Sequence, residues 1–358
     1  MFTIIKGLGL LIFTLALFSI FSFKAPKGDK AMSGLANAAV TTFLIEAIHK
    51  YISGNLLNFS FLGKVGATAG SLSGPAAAIL VGLSIGINPV YAVAAGVAVG
   101  GLGILPGFFA GYIISLIAPK IEEKLPEGIN IIFGALLLAP LARFIAVQAD
   151  PIVNSTLINI GNVISVASEQ SPILMGFLLG GIMKIICTSP ISSMAVTAML
   201  GLKGLAMGIA AIACVGGSFT NGIMFKRLKL GDRSNIIAVM MEPLTQANII
   251  TKNPIPIYSA NFIGGGLAGL SAAYFNIIDN APGTASPIPG LLAPFGFNPP
   301  MSVIYAVIGA IVGGVIGGTV VSQIVITLKN KKDNCNNLKS NTEKPINKGT
   351  LTIKEKTV

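Results

Sequence analysis

Long apolar runs, interrupted at a few points by proline and short polar groups, set the plan of this chain. Residues 65–119 contain no Asp, Glu, Lys, Arg or His, and a helix needs only about 20 apolar residues to cross a bilayer, so this interval alone predicts about two crossings. Further uncharged intervals cover residues 185–202, 204–225, 253–278 and 280–328. Residues 1–23 read as a first helix that is retained, since no small-x-small cleavage pattern precedes Lys24. Residues 31–51 carry Asn37, Glu46 and His49 and read as an amphipathic or half-inserted helix. Residues 128–147 predict another span, and 150–171, with Asn154, Asn159 and Asn162, an amphipathic linker along the interface. The pattern is that of an all-α polytopic membrane protein with about eight to ten membrane elements, re-entrant hairpins among them.

Composition agrees: 53% of residues are hydrophobic and 10% charged, against about 25% charged in soluble domains. The net charge of +11 would suit nucleic acid, but most of the basic excess lies in short runs beside apolar ends, at 24–30, 226–233 and 329–358. Such runs mark cytoplasmic flanks, which excludes nucleic acid as a partner and predicts a multi-pass plasma-membrane protein with a cytoplasmic C-terminus. Three parts follow: 1–30, a hydrophobic helix and basic loop; 31–328, the membrane domain; and 329–358, a tail too poor in apolar residues to fold, hence disordered. Cys187, Cys214 and Cys335 make no disulfide framework; the first two sit in apolar runs as packing residues.

The most informative interruption is residues 236–256, where an apolar run is broken by Glu242-Pro243 and closed by Asn253-Pro254. Proline pushes its predecessor out of the α region and is favoured at the first helical position, so Glu242 should stand at a break with a new turn starting at Pro243. If that turn is α-helical, Thr245 and Gln246 share its face with Glu242. With basic flanks on one side at 226–233 and from 329, the crossings between them must be even in number. Residues 258–278 and 302–328 supply two, so 236–251 must return to its own side as a hairpin. Broken backbone at that depth is tolerated only against protein or a water-filled cavity.

Other interruptions are Thr188-Ser189-Pro190-Ile191-Ser192-Ser193, the polar patch Gly216–Gly222 containing Asn221, and residues 282–300 with six prolines, preceded by Asp279-Asn280. The proline-rich stretch is placed on the outer side, with room to dip inward as a second hairpin. Asn88-Pro89, Asn253-Pro254 and Asn298-Pro299 each read as an N-cap followed by a first-turn proline. Glycines at spacing four (Gly70/Gly74, Gly96/Gly100, Gly103/Gly107/Gly111) predict close helix packing.

One histidine, no Cys/His cluster and no phosphate-gripping glycine loop leave no catalytic residues, metal site or cofactor site. What remains is hydroxyls, amides and one carboxylate at breaks in apolar helices, an inventory suited to an uncharged, hydroxyl-rich solute. Charge-assisted hydrogen bonds of about 1.5–3 kcal/mol each compare with about 2.5–3.5 kcal/mol for placing an acid mid-membrane.

On its glycine-rich, proline-interrupted spans over about residues 31–328, the Met240-Met241-Glu242-Pro243 break and the proline-rich outer segment, the chain resembles the membrane IIC subunits of the bacterial phosphotransferase system. Within them it resembles the stand-alone branch that includes the perfringolysin O regulator. In glucose-type IIC proteins a Glu-Pro pair on a re-entrant hairpin carries the glutamate that hydrogen-bonds the sugar, and Glu242-Pro243 matches that pair. The resemblance implies a sugar-translocating permease part of a sugar phosphotransferase, with a site lined by Glu242, Thr245, Gln246, Asn253, Thr188, Ser189 and Asn221. Separate IIB and IIA proteins would phosphorylate the solute as it emerges. The alternative it implies is a IIC-like membrane regulator that senses without transporting. Which sugar is carried stays open, and the small-residue rows fit a homodimer and an internal bundle alike.

Overall fold

The computed structural model describes residues 2–124, 126, 129–189 and 192–342. Among these the architecture is all-α, without a strand. In chain order the helices are α1 (Phe2–Lys24), α2 (Gly28–Ala39), α3 (Ser60–Ser71), α4 (Ser73–Ile85), α5 (Pro89–Ala98), α6 (Ile104–Lys124), α7 (Asn130–Ser155), α8 (Leu157–Gln170), α9 (Pro172–Thr188), α10 (Ser193–Met199), α11 (Gly204–Leu228), α12 (Arg233–Met241), α13 (Ala247–Ile250), α14 (Pro254–Tyr274), α15 (Pro287–Leu292) and α16 (Pro300–Thr342). Six helices among the described residues are long and apolar enough to cross a membrane, seven if the pair α3–α4, bent by 62°, is one span. The chain is a multi-pass membrane protein.

Two helical groups make the body. In the first, α4 packs on α2, α5 and α6, and α7 on α5 and α6; in the second, α14 packs on α9, α11 and α16, and α11 on α9 and α16. Lipid tails offer no hydrophobic drive between helices, so the contacts rely on close backbone approach. A Cβ on Gly107 would stand 2.1 Å from Gly74 O, and one on Gly111 2.7 Å from Ala78 O, so those glycines form the α4–α6 seam. Gly100 and Gly103 belong instead to the α5–α6 turn, where Gly100 O accepts from Arg143 Nη1 at 2.7 Å. The second group's seams are tighter still: a Cβ on Gly269 would lie 2.1 Å from Gly176 O, and one on Gly314 1.9 Å from Gly216 O.

Three segments depart from the sequence pattern. The helix begun by α2 is half-buried and continues through π-helical turns Val40–Leu44 and Glu46–Leu56, making a candidate span over Gly28–Asn55 in which Glu46 and Lys50 pair at 2.7 Å. Residues 150–171, read as an interfacial linker, end α7 and form α8, which is wedged against α1 and α11. Its buried face is Gly161, Ile164, Ala167 and Ser168, while Thr156 and Asn159 stay exposed and bond back to the helix, Thr156 Oγ1 to Ile152 O at 2.6 Å and Asn159 Nδ2 to Ser155 O at 3.1 Å. Helical backbone continues through Thr342, into the stretch read as disordered; residues 343–358 and the Cys335 side chain lie outside what is described.

The proline-rich stretch leaves α14, turns inward as α15 and returns to α16. Its root is closed by Asn298, which accepts from Ile278 N at 3.0 Å and donates to Ile278 O at 2.7 Å. Only Asn88 of the three Asn-Pro pairs caps as expected, accepting from Val90 N at 2.9 Å. Fully buried Asp279 accepts from Ala281 N at 2.8 Å and from Thr284 Oγ1 at 2.7 Å. Thr284 Oγ1 also stands 2.8 Å from Ala281 O, and one hydroxyl proton cannot serve two acceptors. Burial pushes the Asp279 carboxyl up to about 7 despite those two donors. Its acid form completes the network, donating to Thr284 while Thr284 donates to Ala281. An acid raised in the folded state contributes stability that is full below the unfolded value of about 4 and lost as pH rises through 7. The thermal midpoint of the native chain should therefore fall between pH 5 and 8. Asp279→Asn, whose amide replaces the acid proton, should show a smaller fall; equal falls would assign the pH dependence elsewhere.

Candidate functional site

The break at Glu242 is built from both sides. Lys229 (φ 54°) and Gly231 (φ 84°) turn the chain at the end of α11. Asp232 and Asn235 then form a reciprocal capping box, each side chain accepting from the other's backbone N–H at 2.9 Å, which starts α12. Since α12 is nine residues long, it climbs about 13 Å back along α11. Gly222 admits Met240: a Cβ there would lie 2.5 Å from the Met240 sulfur. Glu242 is extended (φ −147°, ψ 100°), Pro243–Gln246 form a 3-10 turn, and α13 descends. Phe225, Val239, Ile250 and Ile257 make the hairpin's own buried core. Arg227 donates to Gln323, so the C-terminal end of α11 and the later part of α16 lie at the same end of the bundle, as the even count of crossings requires.

The inward-turning proline segment meets this hairpin at its tip. Ser286, which precedes α15, donates through Oγ to Glu242 Oε2 at 3.1 Å. Gly290 lets α15 lie on α11, where a Cβ would stand 2.6 Å from Ala211 O. The two tips therefore lie between Gly222, which faces Met240, and Ala211, which faces Gly290, on the 25-residue α11. The carboxylate is thus held at mid-span.

Glu242 opens onto a cavity of ≈ 290 Å³ whose polar lining is Asp29, Ser33 and Asn37 from α2, and Ser192 before α10. The volume is near the lower end of the about 300–1,000 Å³ of small-molecule sites. A second cavity of ≈ 320 Å³, with Glu46, Asp150, Lys203 and Asn280 on its walls, lies toward the other end of the bundle. Between the two, the Gly283 backbone packs so closely on Ala39 and Ala198 that a Cβ would stand 2.7 and 3.3 Å from their Cβ atoms.

The residues expected from sequence divide. Glu242 lies on the cavity with Ser192 of the hydroxyl-rich interruption; Pro190 and Ile191 of that interruption lie outside the described residues. Thr245 and Gln246 do not line that cavity: Glu242 is extended and precedes the turn, and in the 3-10 turn Gln246, four positions on, is rotated off the face of Glu242. Thr245 Oγ1 bonds to Glu242 O at 2.7 Å, and Gln246 Oε1 accepts from Asn235 Nδ2 at 2.8 Å, tying the hairpin's two arms. Asn253 bonds to Ile249 O at 3.2 Å, Thr188 to Lys184 O at 2.9 Å and Ser189 to Ile186 O at 2.8 Å, all within their own turns. Asn221 is buried between α11 and α14, accepting from Asn261 at 2.7 Å.

Sequence reasoning passed over Asp29, Ser33 and Ser286, and over Lys184. Ser33 and Asp29 recur at spacing four with Asn37, a polar stripe on α2. Lys184 is the one charged residue between Glu169 and Lys203.

The family model described as the phosphotransferase system EIIC matches residues 29–338. No curated protein and no solved structure matches the chain. That match takes in the Glu242 hairpin, the proline-rich segment it touches and the helices around both, and the chain belongs to the phosphotransferase system EIIC family.

Proposed function

We propose that the chain binds a neutral sugar or polyol at Glu242 and carries it across the membrane, and that separate IIB and IIA proteins phosphorylate it. The observation carrying this reading is the meeting of two broken segments at mid-span, carboxylate to hydroxyl at 3.1 Å, over a polar cavity. Glu242 Oε1 and Oε2 accept from sugar hydroxyls, with Ser286 orienting the carboxylate, while Ser33, Asn37 and Ser192 offer neutral donors and acceptors. The chain binds and orients the solute; phosphoryl transfer belongs to the partner proteins. The layer at Gly283, Ala39 and Ala198 supports translocation: it separates the Glu242 cavity from the second one, as a carrier open to one side at a time requires. Sidedness follows from the basic runs, which put the hairpin's base and the C-terminal end of the membrane domain in the cytoplasm.

Equilibrium binding of a panel of neutral sugars and polyols to the purified chain and to its Glu242→Gln form tests the site. Uptake into vesicles that depends on phosphoenolpyruvate and on the soluble partners tests translocation. Binding without uptake would leave a sensor.

A further inference from the structure

The second cavity takes no part in binding at Glu242. Lys203 on its wall directly precedes α11, whose other end carries Lys226 and Arg227. A helix of 25 residues is about 37 Å long, so this cavity stands at the membrane face opposite the base of the Glu242 hairpin. Its volume of ≈ 320 Å³ lies within the about 300–1,000 Å³ of small-molecule sites.

Three polar side chains on its wall have nothing in the described protein to bond to. Ser73, at the start of α4, is buried, and its hydroxyl makes no hydrogen bond with a described residue. Leaving such a group unpaired is costly, and a ligand in the cavity is the partner that removes the cost. Asp150 in α7 and Lys203 carry opposite charges on the same cavity, yet neither forms an ion pair among the described residues. The rest of the wall is fixed by its own contacts. Glu46 is held by Lys50 at 2.7 Å, beside a Gly70 that leaves its carboxylate the room a Cβ would take. The Tyr51 ring rests on that of Phe297, with centroids 4.6 Å apart. Asn280 Oδ1 accepts from Gly204 N at 3.2 Å, which ties the backbone after Lys203 to the wall.

This chemistry selects a class of ligand. With Glu46 offset by Lys50, the described wall presents one free carboxylate and one free ammonium. A sugar hydroxyl both donates and accepts, so neighbouring hydroxyls can donate to Asp150 and accept from Lys203, with Ser73 taking either role. The Tyr51 ring adds an apolar face with a polar tip.

We propose that this cavity is a second site for a neutral sugar or polyol, occupied before the solute passes the Gly283 layer, with Asp150 and Lys203 as its specificity-determining pair. The class of ligand rests on the reading of Glu242 as a sugar site; the cavity and its unpaired groups do not. One short segment joins the two sites, since Asn280 lies on this wall and Ser286 touches Glu242.

Equilibrium binding with stoichiometry tests it, using neutral sugars and polyols and the purified full chain. Because both cavities are open in one conformation, the native chain should bind two molecules. Glu242→Gln should weaken one site and keep the other at full affinity. Adding Asp150→Asn in that background should weaken the remaining site about tenfold, as expected when one hydrogen bond loses its charge assistance. Should Asp150→Asn fail to fold, Lys203→Gln, at an exposed position before α11, carries the same expectation. A single bound molecule that Glu242→Gln weakens and Asp150→Asn does not would overturn this proposal and leave the Glu242 site standing. A single molecule sensitive to Asp150→Asn and indifferent to Glu242→Gln would keep this site and remove the other. A zwitterionic amino acid bound here in place of any sugar would overturn the ligand class, and no binding at all would overturn both sites.

Discussion

Replacing Glu242 with glutamine should leave a folded protein whose affinity for its sugar has fallen by about 100-fold. The substitution keeps the shape and the ability to accept from Ser286, but makes each hydrogen bond to a sugar hydroxyl neutral. Charge-assisted bonds are roughly twice as strong as neutral ones, so losing about 1.5 kcal/mol at each of two oxygens amounts to about 3 kcal/mol, or about 100-fold in affinity. Retention of fold is expected because the hairpin's own core of Phe225, Val239, Ile250 and Ile257 does not involve the carboxylate. Size-exclusion profiles with equilibrium binding check both halves. Affinity within threefold of the native chain would remove Glu242 from the site.

A larger effect on stability is expected from Gly314→Val. The Cβ would stand 1.9 Å from Gly216 O and 2.7 Å from Gly216 C, both backbone of α11, with Thr220 Oγ1 at 3.3 Å. Neither helix can yield locally, since Gly216 itself faces Ala310 and Ala268, where its own Cβ would lie 2.4 Å from Ala310 O. The α11–α16 pair must part, and Thr220, which donates to Gly314 O at 2.9 Å, loses its partner. Overpacking alone costs about 1–3 kcal/mol and the orphaned hydroxyl adds about 1 kcal/mol or more, so the variant should lose most of its monodisperse yield in detergent. Gly9→Val in α1, where a Cβ meets nothing within 4 Å, is the matched control and should be near neutral. Equal yields from the two would show that the seam is not what holds the bundle.

Much of this was legible in the chain. Uncharged intervals gave the helices, and the chemistry of proline placed the break at Glu242 and the turn at Pro243. The even number of crossings called for a hairpin, which the structure shows. What the sequence could not carry was the turn type and the partners across the bundle. A 3-10 turn in place of an α-turn rotates Gln246 away from Glu242 and gives it to Asn235. Thr188, Ser189 and Asn253 bond within their own turns, the usual role of such groups in apolar helices, and nothing local distinguishes that from ligand binding. Asp29, Asn37 and Ser286 come to Glu242 from more than 40 residues away, so only tertiary packing unites them. Lys184 had a signal, a lone charge in an apolar run, and only the packing of Gly217 and Gly265 shows how its stem is enclosed.

The central claim is that a sugar occupies the cavity beneath Glu242 and is reached from the end of the bundle that carries Lys226 and Lys329. Asn37, exposed on the cavity wall, reports on it directly when changed to cysteine in a Cys335→Ser background, the other two cysteines being buried. A charged, membrane-impermeant thiol reagent applied to that face should modify the new cysteine, and the bound sugar should slow the reaction about tenfold. Modification only from the opposite face, or at a rate indifferent to sugar, would contradict the account.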